Sequence, residues 1–301
     1  MDFNGLYDYA VNIGSSVKVS EPMSKHTTFK IGGNATLFIQ PGSVNELCLL
    51  VKKANELGIK LDVIGNGSNM LISDGELQRA FVNLSSSFSG ISLTDENILT
   101  CGAGANLSNV CTFAMQNSLT GLEFAFGIPG SVGGAAFMNA GAYEGEVGNA
   151  ITEIHHVDAQ GNIGSLTNEK ADFSYRNSAY KTNGCIITGV VFSLKKGNRS
   201  EIEEKMNDYM DRRKSKQPLE YPSAGSFFKR PQGHFAGALI EGCGLKGTTV
   251  GGAQISEKHA GFIINVGGAT CGDVLKLMEH TQNVVFSEKG VMLEPEVLII
   301  K

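Results

Sequence analysis

The chain has 301 residues, 42% of them hydrophobic and 18% charged, and a formal net charge of -5. This length allows two domains or one large one with a sizeable core. An acidic chain without a long basic run is not expected to bind nucleic acid. No stretch approaches the about 18 uninterrupted apolar residues of a membrane span. We therefore expect a soluble, cytoplasmic protein with small-molecule partners.

Cysteine, histidine and glycine usage narrows the chemistry further. The six cysteines include no CxxC pair and the six histidines no HExxH motif, so neither a metal site nor a redox dithiol is predicted. Buried free thiols are the expected state of the cysteines. With 38 glycines in 301 residues, the glycine content is well above the average of roughly 7% for proteins. Because proline is scarce, this excess indicates tight turns and close contacts in a folded chain.

The first predicted region, residues 1–84, is a mixture of helix and strand. Residues 44–57 place apolar side chains on one helical face, and Gly58 ends the helix. Short apolar runs at 61–65 and 80–84 predict strands on either side of a turn.

Two more regions follow. Residues 85–194 contain several short strands around a helix at 106–117 and predict a mainly antiparallel sheet. A polar turn at 195–200 before the charged helix at 201–217 predicts a domain boundary. The remainder, with a helix at about 272–286 and a final apolar strand, predicts another α+β unit.

Glycine-rich turns are the first candidate ligand contacts. GNGSN at 65–69 resembles a phosphate-binding turn, in which successive N–H groups converge on an anion. It is neither a Walker A motif nor a Rossmann fingerprint. GIPGSVGGAAFMNAGAYEGE at 127–146 is a second such turn, and its glycines predict clearance for a ligand held close to the main chain. Two turns suit a ligand with a pyrophosphate, and TTFKIGG at 27–33 could add a third wall. Tight turns in a packed core remain the alternative.

Polar side chains in three later motifs are candidates for chemistry. Arg176, in FSYRNSAYK, could bind a carboxylate or phosphate, or form an ordinary surface salt bridge. Ser226, in YPSAGSFFKRP, lacks the GxSxG context of a hydrolase nucleophile. Glu294 and Glu296 begin the final apolar run, share one face by strand periodicity, and could equally be solubilising charges.

Taken in order, the motifs resemble those of the UDP-N-acetylenolpyruvoylglucosamine reductase family, the flavoenzymes that complete UDP-N-acetylmuramic acid for peptidoglycan. The resemblance spans nearly the whole chain and rests on HTTFKIGGNA, GNGSNMLI, GIPGSVGGAAFMNAGAYEGE, YRNSAYK, AGSFFKRP, AGALIEGCGLKG, GGAQISEKHAGFIINV and LEPEVLII. It implies an α+β protein with a p-cresol-methylhydroxylase-type FAD-binding fold. The fold has two subdomains, 1–84 and 85–194, followed by a substrate-binding domain, 195–301. The chain resembles the shorter form of the family, without the tyrosine loop.

The resemblance also implies FAD as bound cofactor and NADPH as co-substrate. The positions that it assigns to FAD are Gly65, Asn66, Gly67, Ser68, Asn69, Met70, Gly127, Ile128, Pro129, Gly130, Ser131, Gly133, Gly134, Asn139, Ala140 and Gly141. Candidates for binding the substrate's carboxylate or diphosphate are Tyr175, Lys229, Arg230 and His259. No metal is implied, and the oligomeric state is left open.

The catalytic roles implied by the family fall on Arg176, Ser226 and Glu296. Hydride passes from NADPH to FAD and then to C3 of the enolpyruvyl group. Arg176 supports the charge that develops on the carboxylate, Ser226 protonates C2, and Glu296 polarises the group or shares a proton.

One position departs from the family pattern, and two other functions stay open. Many members carry arginine where this chain has Leu298, so one charge contact expected at the substrate is missing. An FAD-dependent oxidase of the same fold is one alternative, although no flavin-linking histidine motif is present. A catalytically silent flavin-binding protein is the other, although all three catalytic positions are retained.

Overall fold

The computed structural model describes residues 1–84 and 86–301 and mixes helices with short strands throughout. It divides the chain into two compact units. The first unit contains Met1–Val19, Thr36–Asn66 and Arg79–Arg212; the second contains Ser20–Ala35, Gly67–Gln78 and Arg213–Lys301. Each unit has a buried apolar core of its own.

Helix and strand alternate at the start of the chain. The elements are α1 Phe3–Asn12, β1 Ser16–Pro22, β2 Asn34–Gln40, α2 Val44–Glu56, β3 Leu61–Ile64, β4 Met70–Ile72 and β5 Glu76–Asn83. The predicted helix is confirmed: Ser43 caps α2 by accepting a hydrogen bond from the Glu46 N–H, and the apolar face buries Leu47, Leu50 and Val51. The predicted strands are confirmed by β3 and β5, which pair in parallel.

An antiparallel sheet forms the middle of the chain, as predicted. In chain order the elements are β6 Ile91–Asp95, β7 Ile98–Gly102, α3 Leu107–Gln116, β8 Leu119–Thr120, α4 Val132–Met138, β9 Gly141–Ala142, β10 Gly145–Glu146, β11 Ile151–Val157, β12 Ile163–Thr167, β13 Ile186–Ser193 and β14 Lys195–Lys196. Five of these strands pair in the order β12-β11-β13-β7-β6, and every pairing between neighbours is antiparallel.

Helix α4 was not expected, because its sequence VGGAAFM contains two glycines that weaken helices. Ser131 caps its first turn by accepting a hydrogen bond from Gly134 N–H, and Asn139 ends it in the left-handed region, at φ 44°. The glycine-rich stretch is therefore a turn followed by a two-turn helix.

The last third of the chain supplies most of the second unit. The first element of this part of the chain is α5 Arg199–Lys216, most of which belongs to the first unit. The others are β15 Ser223–Ser226, α6 Ala236–Gly242, β16 Thr249–Val250, β17 Ala253–Ile255, β18 Phe262–Asn265, α7 Cys271–Lys289 and β19 Leu298–Ile300. Four strands pair in the order β15-β18-β17-β16, and β19 pairs in parallel with β4. The carboxylate of Asp74 accepts hydrogen bonds from the N–H groups of Cys271 and Gly272 at the start of α7.

The structure was also searched for membrane-spanning helices. Across the described residues, no helix combines the length and apolar composition that crossing a membrane requires. The division at 84/85 and 194/195 into three domains stays a prediction, and Ser85 itself lies outside the described residues.

Candidate active site

The start of GNGSN, Gly65 and Asn66, contacts the second glycine-rich turn within the first unit. Gly65 directly follows β3, and a Cβ on Gly65 would overlap the Oγ of Ser131. The next residue, Asn66, donates from Nδ2 to the carbonyl oxygen of Pro129 at 3.4 Å. The structure thus brings the start of GNGSN beside the turn at 127–134, as a shared ligand site requires.

The turn at 127–134 is fixed to the segment before α3 by backbone hydrogen bonds. Gly133 N–H donates to Ala103 O at 2.8 Å, and Val132 N–H donates to Ala105 O at 2.9 Å. A Cβ on Gly133 would lie 2.8 Å from the Cβ of Ala103. At Gly65 and Gly133 the absent side chain therefore makes room for the chain itself, which differs from the expected clearance for a ligand.

Backbone N–H groups in these turns are available to bind a ligand. Among the described residues, no hydrogen bond is donated by the backbone N–H of Asn66, Gly130 or Ser131. Gly130 and Ser131 are buried, and a buried N–H without an acceptor is costly unless a ligand or water accepts from it. Converging N–H groups of this kind suit a phosphate, so the first unit fits the pyrophosphate of FAD.

The other predicted FAD positions around α4 differ in their surroundings. Gly127 has a positive φ of 88° and donates to the Ser108 Oγ at 3.2 Å, while Ile128 packs against the core. Asn139 is only 1% exposed, and its side-chain amide bonds Glu146, Ser174 and Gly148. Its side chain therefore holds the protein together rather than facing a ligand.

Gly67 to Met70, the rest of GNGSNM, belong to the second unit. A Cβ on Gly67 would overlap the carbonyl oxygen of His26, and Thr28 N–H donates to Gly67 O at 3.4 Å. Ser68 is half-buried, and Met70 is buried in β4. The expected third wall, TTFKIGG, thus lies against the second half of this turn.

Arg176 lies in the first unit, at the third position of a tight turn. Ser174 and Asn177 exchange backbone hydrogen bonds across the turn, and Arg176 has a positive φ of 53°. Its Nη2 donates to Gly141 O at 2.9 Å, and its guanidinium carbon lies 5.0 Å from the centre of the Tyr175 ring. Aromatic stacking and a backbone acceptor orient the guanidinium, whose planar fork of N–H groups is the kind of donor that binds a carboxylate or phosphate in bidentate fashion.

Ser226 and Glu296 lie on neighbouring segments of the second unit. Phe227 N–H donates to Gly261 O at 2.8 Å, and Glu296 N–H donates to Phe227 O at 2.8 Å. The pairing continues through a bridge between Phe228 and Pro295. Because Ser226 immediately precedes Phe227, a backbone ladder holds the serine beside the glutamate. Ser226 is exposed, and Glu296 is half-buried.

Asn69 also contacts the segment that contains Glu296. Its Nδ2 donates to the carbonyl oxygen of Glu296 at 3.2 Å, and its own carbonyl oxygen accepts from Leu298 N–H at 2.9 Å. Sequence reasoning assigned Asn69 to FAD and missed this contact, because the two residues are 227 positions apart. Only strand pairing of β4 with β19 reveals it.

The predicted substrate contacts are spread over both units. Tyr175 is 49% exposed beside Arg176. In the second unit, Lys229 pairs with Glu294 at 3.1 Å, and Arg230 lies 4.3 Å from the centre of the Phe235 ring. Burial lowers the pKa of His259, whose Nδ1 accepts a hydrogen bond from Gly261 N–H at 3.1 Å.

Comparison with known proteins first defines the class. The family model described as "FAD binding domain" matches residues 35–167, which include GNGSN and the turn at 127–134. The structure of BBE-like 1 from Physcomitrella patens matches with a TM-score of 0.50 at 18% identity, over 64% of this chain and 44% of that one. This level of likeness shows the fold alone. The chain thus has the FAD-binding fold that also occurs in larger proteins.

The family follows from matches to the whole chain. The model described as "UDP-N-acetylenolpyruvoylglucosamine reductase, C-terminal domain" matches residues 217–300. The UDP-N-acetylenolpyruvoylglucosamine reductase of Lachnoclostridium phytofermentans is 45% identical over 96% of this chain and 95% of its own length. The structure of the Thermus caldophilus reductase matches with a TM-score of 0.82 at 34% identity, over 95% of this chain and 99% of that one. The chain belongs to the UDP-N-acetylenolpyruvoylglucosamine reductase family, and the predicted fold class is confirmed.

Proposed function

We propose that the chain reduces the enolpyruvyl group of UDP-N-acetylglucosamine enolpyruvate to give UDP-N-acetylmuramate for peptidoglycan, with FAD as cofactor and NADPH as reductant. The observation that carries this proposal is the 45% identity to a reductase of this name over nearly the full length of both chains. The reaction belongs in the cytoplasm, where NADPH and UDP-linked sugars are available.

The residues that we assign to FAD are those of GNGSNM at 65–70 and of the stretch at 127–141. The buried N–H groups of Gly130 and Ser131, with that of Asn66, would bind the pyrophosphate. Gly133 and Asn139 would contact the cofactor through the main chain, because Ala103 fills the space beside Gly133 and the Asn139 side chain bonds Glu146 and Ser174. When bound, FAD accepts a hydride from NADPH and transfers it to C3 of the enolpyruvyl group.

Arg176 would support the negative charge that this transfer creates. Hydride addition at C3 pushes an electron pair toward C2 and the adjoining carboxylate. A guanidinium that is already oriented by Gly141 O and the Tyr175 ring stabilises this charge without having to reorganise. Arginine is suited to this task because its fork of N–H groups matches a carboxylate.

Ser226 would supply the proton that completes the reaction at C2. A serine hydroxyl is a weak acid, so it can act only on a strongly basic intermediate and only when held in place. The backbone ladder from Phe227 to Gly261 and Glu296 provides that positioning. Glu296, on the neighbouring segment, would polarise the reacting group or share the proton. The assignment of these side chains to one reaction rests on the family motifs.

The diphosphate and carboxylate of the substrate would be bound by Tyr175, Lys229, Arg230 and His259. Lys229 must give up part of its ion pair with the exposed Glu294 to do so. Leu298, in β19, contributes no charge where many family members have arginine. We also retain the three-domain division at 1–84, 85–194 and 195–301 as part of the proposal.

Anaerobic titration tests the function directly. The purified protein is expected to be yellow, to lose flavin absorbance on addition of NADPH, and to regain it on addition of the enolpyruvyl sugar nucleotide. A protein that takes up no FAD would contradict the proposal. Rapid reoxidation by oxygen but not by the sugar nucleotide would favour an oxidase, and flavin binding without turnover would favour a silent flavin-binding protein.

A further inference from the structure

A strained hairpin lies beside Arg176. Strands β9 and β10 pair antiparallel and are joined by a two-residue loop, Tyr143 and Glu144. Both residues have positive φ, 49° and 70°. Such a loop normally contains Asn-Gly or another pair that includes glycine, because a Cβ disfavours this backbone conformation. The sequence of this loop therefore does not explain its conformation.

Backbone conformations of this kind are concentrated around the arginine. Asn139, Tyr143, Glu144 and Arg176 are four of the eight non-glycine residues with positive φ in the described part of the chain. Such residues persist only where surrounding contacts fix them, and they often occur at functional sites. The cluster indicates that the hairpin and the Arg176 turn are held in one specific arrangement.

Tyr143 anchors the tip of the hairpin to α5. Its ring stacks on Tyr209 with centroids 4.5 Å apart and an angle of 5° between the rings. Its hydroxyl donates to the carbonyl oxygen of Tyr209 at 3.0 Å. A stacked pair with an additional hydrogen bond fixes both the position and the orientation of the loop.

The base of the same hairpin contacts the arginine. Gly141, the first residue of β9, accepts the hydrogen bond from Arg176 Nη2 at 2.9 Å. A Cβ on Gly141 would lie 3.3 Å from the Nη1 of Arg176. Asn139 adds a second link, because its Nδ2 donates both to Glu146 of β10 and to Ser174 O in the arginine's turn, each at 2.9 Å.

We propose that Tyr143 is a positioning residue for Arg176, acting through its stack on Tyr209 and the hairpin that presents the carbonyl oxygen of Gly141. The proposal rests on the function proposed above, in which Arg176 binds the substrate carboxylate. Loss of the Tyr143 ring releases a loop whose backbone is disfavoured, and the hairpin moves away from the guanidinium. Tyr143 needs no contact with the substrate to have this effect.

Kinetics of the reoxidation step provide the first test. Tyr143→Ala and Tyr209→Ala are both expected to slow flavin reoxidation by the sugar nucleotide about 100-fold, the cost of a small misplacement at a reacting centre. Reduction by NADPH and FAD content should change much less. Tyr209→Phe keeps the ring and the backbone acceptor and should therefore reoxidise at close to the wild-type rate. Glu144→Gly, which relieves the strain and leaves the stack intact, is the matched control and should stay near the wild-type rate.

A double-mutant cycle separates positioning from direct contact. In an Arg176→Lys background, Tyr143→Ala should cost little more, because the two residues act through one interaction. Full additivity, or wild-type reoxidation by Tyr209→Ala, would overturn the proposal. A crystal structure of Tyr143→Ala gives a readout that does not need turnover: the hydrogen bond from Arg176 to Gly141 should be lost, and its retention would also overturn the proposal. Failure of the wild-type enzyme to turn over would instead refute the proposed function.

Discussion

Arg176 and the Ser226–Glu296 pair are held by different kinds of contact. Arg176 lies in a turn with a left-handed backbone and depends on Gly141, Tyr175 and the hairpin of Tyr143. Ser226 and Glu296 are fixed by a ladder of main-chain hydrogen bonds. The first arrangement depends on which side chains surround it, whereas the second depends mainly on strand pairing.

This difference predicts where each region tolerates substitution. A backbone ladder survives most changes of neighbouring side chains, because every residue has a C=O acceptor and every residue except proline has an N–H donor. A strained turn does not, because particular side chains must offset its unfavourable backbone conformation. Changes near Ser226 should therefore affect chemistry without affecting structure, and changes near Arg176 should affect both.

The largest expected effect follows replacement of Ser226 by alanine. If Ser226 donates the proton to C2, Ser226→Ala should slow reoxidation by substrate about 10³-fold, within the usual range for general acid catalysis. Flavin reduction by NADPH should persist, and the ladder through Phe227 should keep the melting temperature unchanged. Stopped-flow measurement of the two half-reactions is the readout. Ser223→Ala, on the same strand, is the matched control, and near-normal turnover by Ser226→Ala would exclude the proton-donor role.

The next largest effect is expected from Gly133→Ala, which tests the close packing of the first unit. Gly133→Ala brings a Cβ to 2.8 Å from the Cβ of Ala103, and overpacking of this kind typically costs about 1 to 3 kcal/mol. Gly134→Ala is the matched control, because its nearest neighbour is the Ser131 Oγ at 3.3 Å. Thermal unfolding should show a clear loss for Gly133→Ala and a smaller change for Gly134→Ala. An unchanged melting temperature of Gly133→Ala with lost FAD would show that Gly133 serves the ligand instead.

Sequence patterns predicted the regular elements well because their signals are local. The apolar face and Ser43 cap of α2, and the short apolar runs that form β11 and β13, are each encoded within a few residues. Helix α4 was not predicted because Gly133 and Gly134 disfavour helix formation. Tertiary contacts with Ala103 and Ala105 overcome this preference. At Gly65 and Gly133, where clearance for a ligand was expected, the atoms that approach closely belong to the chain itself.

The contacts that support the candidate site residues could not be predicted from the sequence. Family motifs indicated Arg176, Ser226 and Glu296, and their roles stay predictions. The contacts that position them join residues far apart in sequence, such as Tyr143 with Tyr209 and Asn69 with Glu296. No periodicity encodes such pairs, because only the pairing of strands and the packing of a loop on a helix bring them together.

A smaller effect is expected from Asn69, whose side chain reinforces the ladder. Asn69→Ala removes the hydrogen bond from Nδ2 to Glu296 O, and a net hydrogen bond is worth about 1 kcal/mol. Reoxidation should slow roughly five- to tenfold, as that energy implies. Asn66→Ala removes the other asparagine side chain of GNGSN. It is the control because it leaves the contact of Asn69 with Glu296 in place. A larger loss of FAD than of reoxidation rate in Asn69→Ala would show that its main role is cofactor binding.

The smallest effect is a pH dependence that both units share. Burial lowers the pKa of His156 in the first unit, where its Nδ1 lies 2.9 Å from the Tyr180 hydroxyl, and of His259 in the second. The unfolded chain therefore takes up protons first, near the ordinary histidine pKa of about 6.5. Stability should be full above that pH and should fall as the pH drops toward the lowered pKa values of the folded state.

Asparagine substitutions divide this pH dependence between the two units. His259→Asn keeps an acceptor for Gly261 N–H but cannot titrate, so it should flatten part of the fall in unfolding free energy below pH 6.5. His156→Asn should flatten another part. Denaturant unfolding at a series of pH values measures both, and a slope unchanged in the double variant would assign the pH dependence to other groups. If His259 also binds substrate, only His259→Asn should raise the substrate KM, because His156 is buried in the sheet of the first unit.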